Sequence, residues 1–458
     1  LATVGRGRKL VMARNCHKSV FNALSLSDIA PVYAYPEIID EFGVLGGVSA
    51  QEIAKCLDEN QEADAVLIPS PNYYGICSNI KAIADEVHKR GKILIVDQAH
   101  GAHLKFFSKY GVCGFPQAAE EQDADLVINS IHKTLASWTQ SALLNVCTDR
   151  TDLNVLEDKL QTIESSSPSY PMMATLDISA DLLLEKGEEL MRAWAENLDF
   201  FYEEAKKIPG LVIMEEETLD RTKMNIDMSA YNINGNELEE LLMKRGIFLE
   251  LVTGNIIMCM SGIGNRRCDY ERLIEGLKAT AAERKMSGER EMRQPEALTE
   301  RLERTELPKE KIYVPIDEAS GKVCAASIIP YPPGVPIACP GEILTAEVLE
   351  YVKARRAADE KVIGKRLQEI ARNATTGGLY NLVGELYGFP IKVVSERMLK
   401  EGLEFTDNRF VVEGNYKYTY NNGHLAMADP VAAARNFLNA LEKIPSTIDQ
   451  YRAKNEVL

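Results

Sequence analysis

Short apolar runs alternate with stretches of helical spacing over the first two hundred residues. KLVMA leads to SVFNALSLSD, PVYAYP to the stretch around VSAQEIAKCLDEN, and DAVLIPSP to IKAIADEVHKRG. In the last of these the apolar positions 80, 83, 84 and 87 line one helical face. KILIVD, ADLVINS and SALLNVCTD continue the series of runs. Continuous apolar strands separated by helices predict a mostly parallel sheet covered on both faces, the base of an α/β enzyme. Ligands of such a sheet gather at the carboxyl ends of its strands. Two runs end there in residues that a sheet interior would reject. GKILIVDQAHGAH (91–103) carries Asp97, His100 and His103, and ADLVINSIHKT (124–134) carries Ser130, His132 and Lys133.

Beyond SSSPSY a long helical segment from about MMATLDIS to EEAKKI predicts a link from this large domain to a second one. KMNIDMS, NELEELLMKRG, IFLELVTG, NIIMCMSG and YERLIEGLKATAAERK then read as α+β. The span 284–312, rich in Glu and Arg, reads as an exposed connection or helix. Prolines 330, 332, 333, 336 and 340 make the segment PYPPGVPIACPGE rigid and unsuited to a central strand. The expected domains are 1–195, a large domain incomplete at its amino end; 196–345, a small α+β domain; and 346–458, a C-terminal α/β extension. In that tail LTAEVLEYVKARRAADEKVIGKRLQEIA and PVAAARNFLNALEKI read as helices and RFVVEGNYKYTY as a strand. No internal repeat is visible.

Composition narrows the class. A chain of 458 residues exceeds the size of one core, and 45 % apolar with 26 % charged residues is a soluble globular balance. The net charge of -16, without a basic cluster interleaved with aromatics, argues against nucleic acid. No apolar run reaches the ~18 residues of a membrane span. Nine cysteines without CxxC spacing read as reduced thiols in a cytoplasmic protein, and no metal-ligand spacing is present. LATVGRGRKLVMARN has neither initiator Met nor signal-peptide core, and suggests a chain opening in mid-element.

Asp97 and Lys133 end neighbouring runs, so a parallel sheet delivers both to one edge. A carboxylate and an amine brought together there suit pyridoxal phosphate: the lysine can condense with the aldehyde, and the aspartate can keep the pyridine nitrogen protonated. Ser130 and His132 are of the right type to hold phosphate oxygens. Taken alone, the pattern fits equally a solvated lysine and a helix-capping aspartate.

Five segments in order settle the choice through resemblance: ARNCHKS, VDQAHGAH, SIHKTLASWTQSALL, SSSPSYPMMATLD and PYPPGVPIACPGE. They resemble the successive signatures of the Orn/Lys/Arg decarboxylase family, pyridoxal phosphate enzymes of fold type I, over residues 11 to about 343. The resemblance implies an aspartate aminotransferase-like large domain and decarboxylation of arginine, lysine or ornithine to the amine and carbon dioxide. It makes Lys133 the lysine that takes the cofactor and Asp97 the partner of its ring nitrogen. His17 would stack on the ring, and Ser130 and His132 would face the phosphate. His100 would lie near the substrate carbon as a proton donor, His103 being structural. Ser167, Pro168, Ser169 and Tyr170 would complete the pocket, in a homodimer or higher oligomer with its site at a subunit interface.

Three departures qualify this. The family's upstream Gly-Thr/Ser phosphate-binding segment is expected just before Leu1, so either the numbering opens inside a longer protein, or a separate amino-terminal fragment supplies the piece, or this form is an impaired partner subunit that holds the cofactor poorly. Ala326 stands in CAAS where the family has an acidic residue, so either a non-basic amino acid is the substrate or another acid, Glu250 or Glu342, receives the distal cation. Gln98 replaces the glutamate of DEAHG, a mild change. GRGRK and SGIGN lack the context of nucleotide loops and read as turns.

Overall fold

The computed structural model describes residues 2–287, 301–305, 312, 314–330, 334–357, 362–363, 404–406, 409–411, 417–421 and 424–427. It divides into two compact units, Leu1–Gly364 and Lys365–Leu458.

In the first unit β1 (Lys9–Ala13) and β2 (Ala30–Ala34) flank α1 (Lys18–Ser27), and a small hairpin of β3 (Ile38–Ile39) and β4 (Val44–Leu45) follows. Then α2 (Ala50–Glu59), β5 (Ala63–Pro69), α3 (Ile80–Lys89) and β6 (Ile93–Asp97) alternate. After α4 (Leu104–Lys109) come β7 (Leu126–Ser130), the one-turn α5 (Ile131–Thr134) and β8 (Ala142–Val146). Six of these strands form a sheet in the order β2-β1-β5-β6-β7-β8, parallel except for β8, which runs antiparallel to β7. The expected mostly parallel sheet is present. Val11, Val66, Ile68, Leu94, Val96 and Val127 are fully buried along it, as strands covered on both faces require. Ser49 and Asn79 cap α2 and α3 by accepting the N–H groups of Glu52 and Ala82. The buried face of α3 is Ile80, Ile83, Ala84 and Val87, the positions its periodicity singles out.

After α6 (Leu153–Ile163), the helix α7 (Tyr170–Ala205) leads to a four-stranded antiparallel sheet of order β11-β12-β10-β9. Its strands are β9 (Val212–Ile213), β10 (Lys223–Asp227), β11 (Leu251–Thr253) and β12 (Ile256–Met260), with α8 (Gly235–Met243) and α9 (Arg267–Glu283) alongside. The second half of α7 is mostly core, with Met191, Trp194, Leu198 and Phe201 buried, while in the first half Leu183 is buried and Tyr170, Met173, Ile178 and Leu184 lie on the surface.

β13 (Ile329–Pro330), α10 (Ala346–Ala357) and β14 (Val362–Ile363) close this unit, β13 pairing antiparallel with β14. The proline-rich segment is tied to the amino end of the chain. Arg14, buried, donates to the carbonyls of Pro336 and Ile337 and pairs with Glu342 at 3.2 Å, its guanidinium lying over Phe21 and Tyr33. The Lys18 N–H bonds the Gly334 carbonyl at 3.1 Å. Glu342, one of two acids considered above for a distal cation, is therefore already spent on Arg14.

In the second unit β15 (Glu404–Thr406), β16 (Arg409–Val411), β17 (Lys417–Asn421) and β18 (His424–Met427) form an antiparallel sheet in sequence order. The helix expected at PVAAARNFLNALEKI and residues 288–300 of the Glu/Arg-rich span lie outside the described residues.

Candidate active site

Parallel pairing decides what meets at the carboxyl edge. Pro69, Asp97 and Ile128 stand in register on β5, β6 and β7, so Asp97 ends β6 beside the end of β7. Ser130 closes β7 and begins the single turn α5, on which Lys133 sits. The Lys133 amine lies 3.1 Å from His100 Nε2. Whichever of these nitrogens carries the proton between them, His100 Nδ1 is buried without a partner. The His100 ring packs against Tyr73, centroids 4.9 Å apart, and the Tyr73 hydroxyl donates to Glu250 at 2.9 Å. Glu250 itself is exposed and carries its charge toward Lys133 from the loop before β11.

Electrostatics at this edge favour neutral bases. Burial lowers the pKa of Lys133; Asp97 opposes that shift, Lys223 adds to it, and Glu250 opposes it. Burial, then Lys133 and Lys223, push His100 well below the ordinary imidazole value. His17 falls to about 4, through the protein around it and the cations Lys133 and Lys18. Burial raises the Asp97 carboxyl, against the Ala99 N–H and Lys133, which lower it. A lowered pKa enlarges the nucleophilic free-base fraction of the amine, and an unprotonated imidazole beside it can relay a proton.

The remaining expected residues divide. His17 caps α1, its Nδ1 accepting from the Ser19 N–H at 3.3 Å and meeting the Ser19 hydroxyl at 2.9 Å, while its ring faces the Lys133 charge. His132 Nδ1 meets the Ser141 carbonyl at 2.9 Å, which fixes its ring beside α5. Ser130 is half-buried at the start of that turn and makes no side-chain cap bond. Ser169 and Tyr170 are not brought into this group: Tyr170 is 77 % exposed at the start of α7 and joins none of the site's hydrogen bonds among the described residues. His103 is buried, its Nε2 3.2 Å from the Asp220 carboxylate. Gln98 has a physical reason. Its amide donates to Glu120 at 2.8 Å and Asn129 at 3.1 Å and accepts the Ala119 N–H at 2.7 Å, which a carboxylate could not do. Ala326 is exposed and offers no charge.

Sequence reading passed over Tyr73, Asp220 and Lys223. Tyr73 had a signal, since SPNYYG follows β5 at the same sheet edge. Asp220 precedes β10 and Lys223 begins it, in the small antiparallel sheet, and only folding brings them here.

Residues 1–223 match the family described as "Orn/Lys/Arg decarboxylase, major domain", and residues 280–377 match "Orn/Lys/Arg decarboxylase, C-terminal domain". The chain belongs to the Orn/Lys/Arg decarboxylase family. Residues 348–441 also match a domain of unknown function. Among curated members of the family, the chain is 28 % identical over 366 residues to the arginine decarboxylase of Bacillus subtilis, covering 77 % of this chain and 74 % of that one. It is 29 % identical over 379 residues to the arginine decarboxylase of Halalkalibacterium halodurans, covering 80 % and 76 %. Lysine decarboxylase A from Pseudomonas aeruginosa shares the fold with a TM-score of 0.63 at 20 % identity, over 79 % of this chain and 64 % of that one. The chain thus spans a little under two thirds of that structure's length. The shared fold is the fold type I large domain with smaller domains after it. Family and fold together imply pyridoxal phosphate as cofactor. The donor set fits it: an amine whose pKa burial lowers, a carboxylate on the next strand and an imidazole with an unpaired buried nitrogen.

Proposed function

We propose that this chain decarboxylates a basic amino acid, arginine first among arginine, lysine and ornithine, with pyridoxal 5'-phosphate. The observation that carries the proposal is the placement of the Lys133 amine beside His100 and the charge of Asp97, with the Glu250 carboxylate one tyrosine away. Lys133 would hold the cofactor's aldehyde carbon, Asp97 its ring nitrogen, His17 its ring face, and Ser130 and His132 its phosphate. When bound, the cofactor supplies an electron sink for the carbanion left as carbon dioxide departs.

The chain's own residues have four tasks. Lys133 attacks as the free amine, a form that burial favours. The Asp97 carboxylate holds a proton donor by its negative charge. His100 and Lys133, 3.1 Å apart, hold the proton that is delivered to the carbon in place of the departing carboxylate. Glu250, oriented by the Tyr73 hydroxyl, accepts the distal guanidinium or ammonium and fills the acidic role that Ala326 lacks. Ser169 and Tyr170, on an exposed stretch that also carries Met173 and Ile178, are read as completing the pocket of a second copy in a homodimer or larger oligomer. Nine unpaired thiols support a cytoplasmic setting.

The test is product analysis. Protein supplied with pyridoxal phosphate is incubated with L-arginine, L-lysine or L-ornithine, and amine and carbon dioxide are measured. Equimolar amine and carbon dioxide, greatest from arginine, is the expected result. Absence of amine from all three overturns the proposal.

A further inference from the structure

Behind the reacting edge lies a second group of charges that the proposed reaction leaves without a task. Asp220, Thr222 and Lys223 sit where the chain enters β10, and all three are fully buried. The Asp220 carboxylate accepts the Thr222 N–H at 3.1 Å, the Thr222 hydroxyl at 2.8 Å and His103 Nε2 at 3.2 Å, and faces the Lys223 amine at 3.5 Å. Burial alone would raise that carboxyl. His103, Lys223 and the Thr222 hydroxyl outweigh burial and hold it below the ordinary range. A carboxylate only accepts, so His103 presents Nε2–H to it, and burial keeps the imidazole neutral. The positive charge that balances Asp220 therefore belongs to Lys223.

The Lys223 amine reaches two partners more, the Thr222 hydroxyl at 3.4 Å and the His100 carbonyl at 3.2 Å. The same turn grips the loop that carries Tyr73. The Asp220 N–H bonds the Gly75 carbonyl at 2.8 Å, and the Cys77 N–H bonds the Thr218 carbonyl at 2.9 Å. Gly75 has φ of +95°, and a Cβ there would lie 2.9 Å from Lys223 Cβ and Cγ, so the approach needs glycine. A buried ion pair is a poor source of stability beside apolar residues of equal volume. One whose remaining donor holds the backbone of a reactive loop has a different use.

We propose that Lys223 is a positioning residue: its ammonium, anchored by Asp220, fixes the His100 carbonyl and so keeps the imidazole on the Lys133 amine. This rests on the reading of Lys133 as the reactive amine, not on the reaction it serves. Lys133 is faced by Asp97 from β6, His100 from the loop after it, His17 from the loop before α1, Glu250 from the loop before β11 and Lys223 from β10. Of these, Lys223 is the cation reaching it from the small sheet.

The test reads Lys133 in protein freed of cofactor, by acetic anhydride labelling across pH with peptide mass mapping. In Lys223→Met the labelling midpoint of Lys133 rises by about one pH unit. Lys223→Arg returns it toward the wild-type value. Asp220→Asn, which leaves the Lys223 charge uncompensated, moves it down. Because the single variants break a buried pair, Asp220→Asn/Lys223→Met removes both charges together, and its midpoint lies between those of wild type and Lys223→Met. With cofactor and substrate, Lys223→Met loses kcat by about tenfold or more while KM stays within about threefold. A folded Lys223→Met or double variant whose Lys133 midpoint stays within about 0.2 pH unit of wild type overturns the proposal. So does an Asp220→Asn shift in the same direction as Lys223→Met. Absence of amine product in the substrate assay leaves the labelling result standing, so the two proposals fail separately.

Discussion

Two charge clusters in the first unit each leave one buried polar atom unpaired, Glu342 Oε1 in one and His100 Nδ1 in the other, and differ in the charge state they favour. Around Arg14 the guanidinium has two carbonyls, the Glu342 carboxylate and two aromatic faces, while Glu342 also takes the Cys339 N–H at 2.7 Å. Around Lys133 the amine and two imidazoles are all biased toward their neutral forms, whereas Arg14 is held charged. The first cluster spends its bonds on holding the proline-rich segment to β1. The second keeps its capacity for a molecule still to arrive. The opposite bias of their basic groups separates a joint from a site without appeal to position in the fold.

If the comparison is right, substitutions in the two clusters fail in different assays. Lys133→Ala should lower kcat by about 10³-fold or more while the thermal midpoint hardly moves, as paired activity and melting measurements would show. Arg14→Ala should do the reverse. It leaves Glu342 buried and unpaired and costs about 3 to 5 kcal/mol in urea unfolding, with kcat per folded molecule nearly unchanged. Glu250→Gln, at the exposed end of the site, should raise KM for a basic substrate about 10- to 100-fold with a smaller change in kcat, read from initial rates. The smallest effect is on acid stability. His17, His100 and His103 have folded pKa values below those of the unfolded chain, so between about pH 6.5 and 4 the unfolded state binds more protons. Their contribution is complete above pH 6.5 and is lost as pH falls toward 4. Urea midpoints should decline steadily across that window, and a flat profile would break the claim that these histidines are held neutral.

Much of the large sheet was legible because its signals are local. Apolar runs and helical spacing located β5, β6, α3 and the sheet edge, and five motifs carried the family. Asp97, His100 and Lys133 followed, since strand ends in a parallel sheet share an edge. What escaped was set by packing between distant segments. Glu342 resembled a free acid until Arg14, 328 residues away, claimed it. Lys223 drew no notice at the start of KMNIDMS, yet it is buried with its amine on the carbonyl of His100, 123 residues earlier. Gln98 seemed a mild replacement, and its value lay in donating and accepting at once between Glu120, Asn129 and Ala119. No spacing rule encodes such contacts.

The central claim is that Lys133 is the amine this edge keeps available for the cofactor. The direct measurement is titration with pyridoxal phosphate, borohydride reduction and peptide mass mapping. The account predicts one phosphopyridoxyl group per chain, on Lys133, with a visible absorption band before reduction. Label spread over surface lysines with Lys133 unmodified would contradict it.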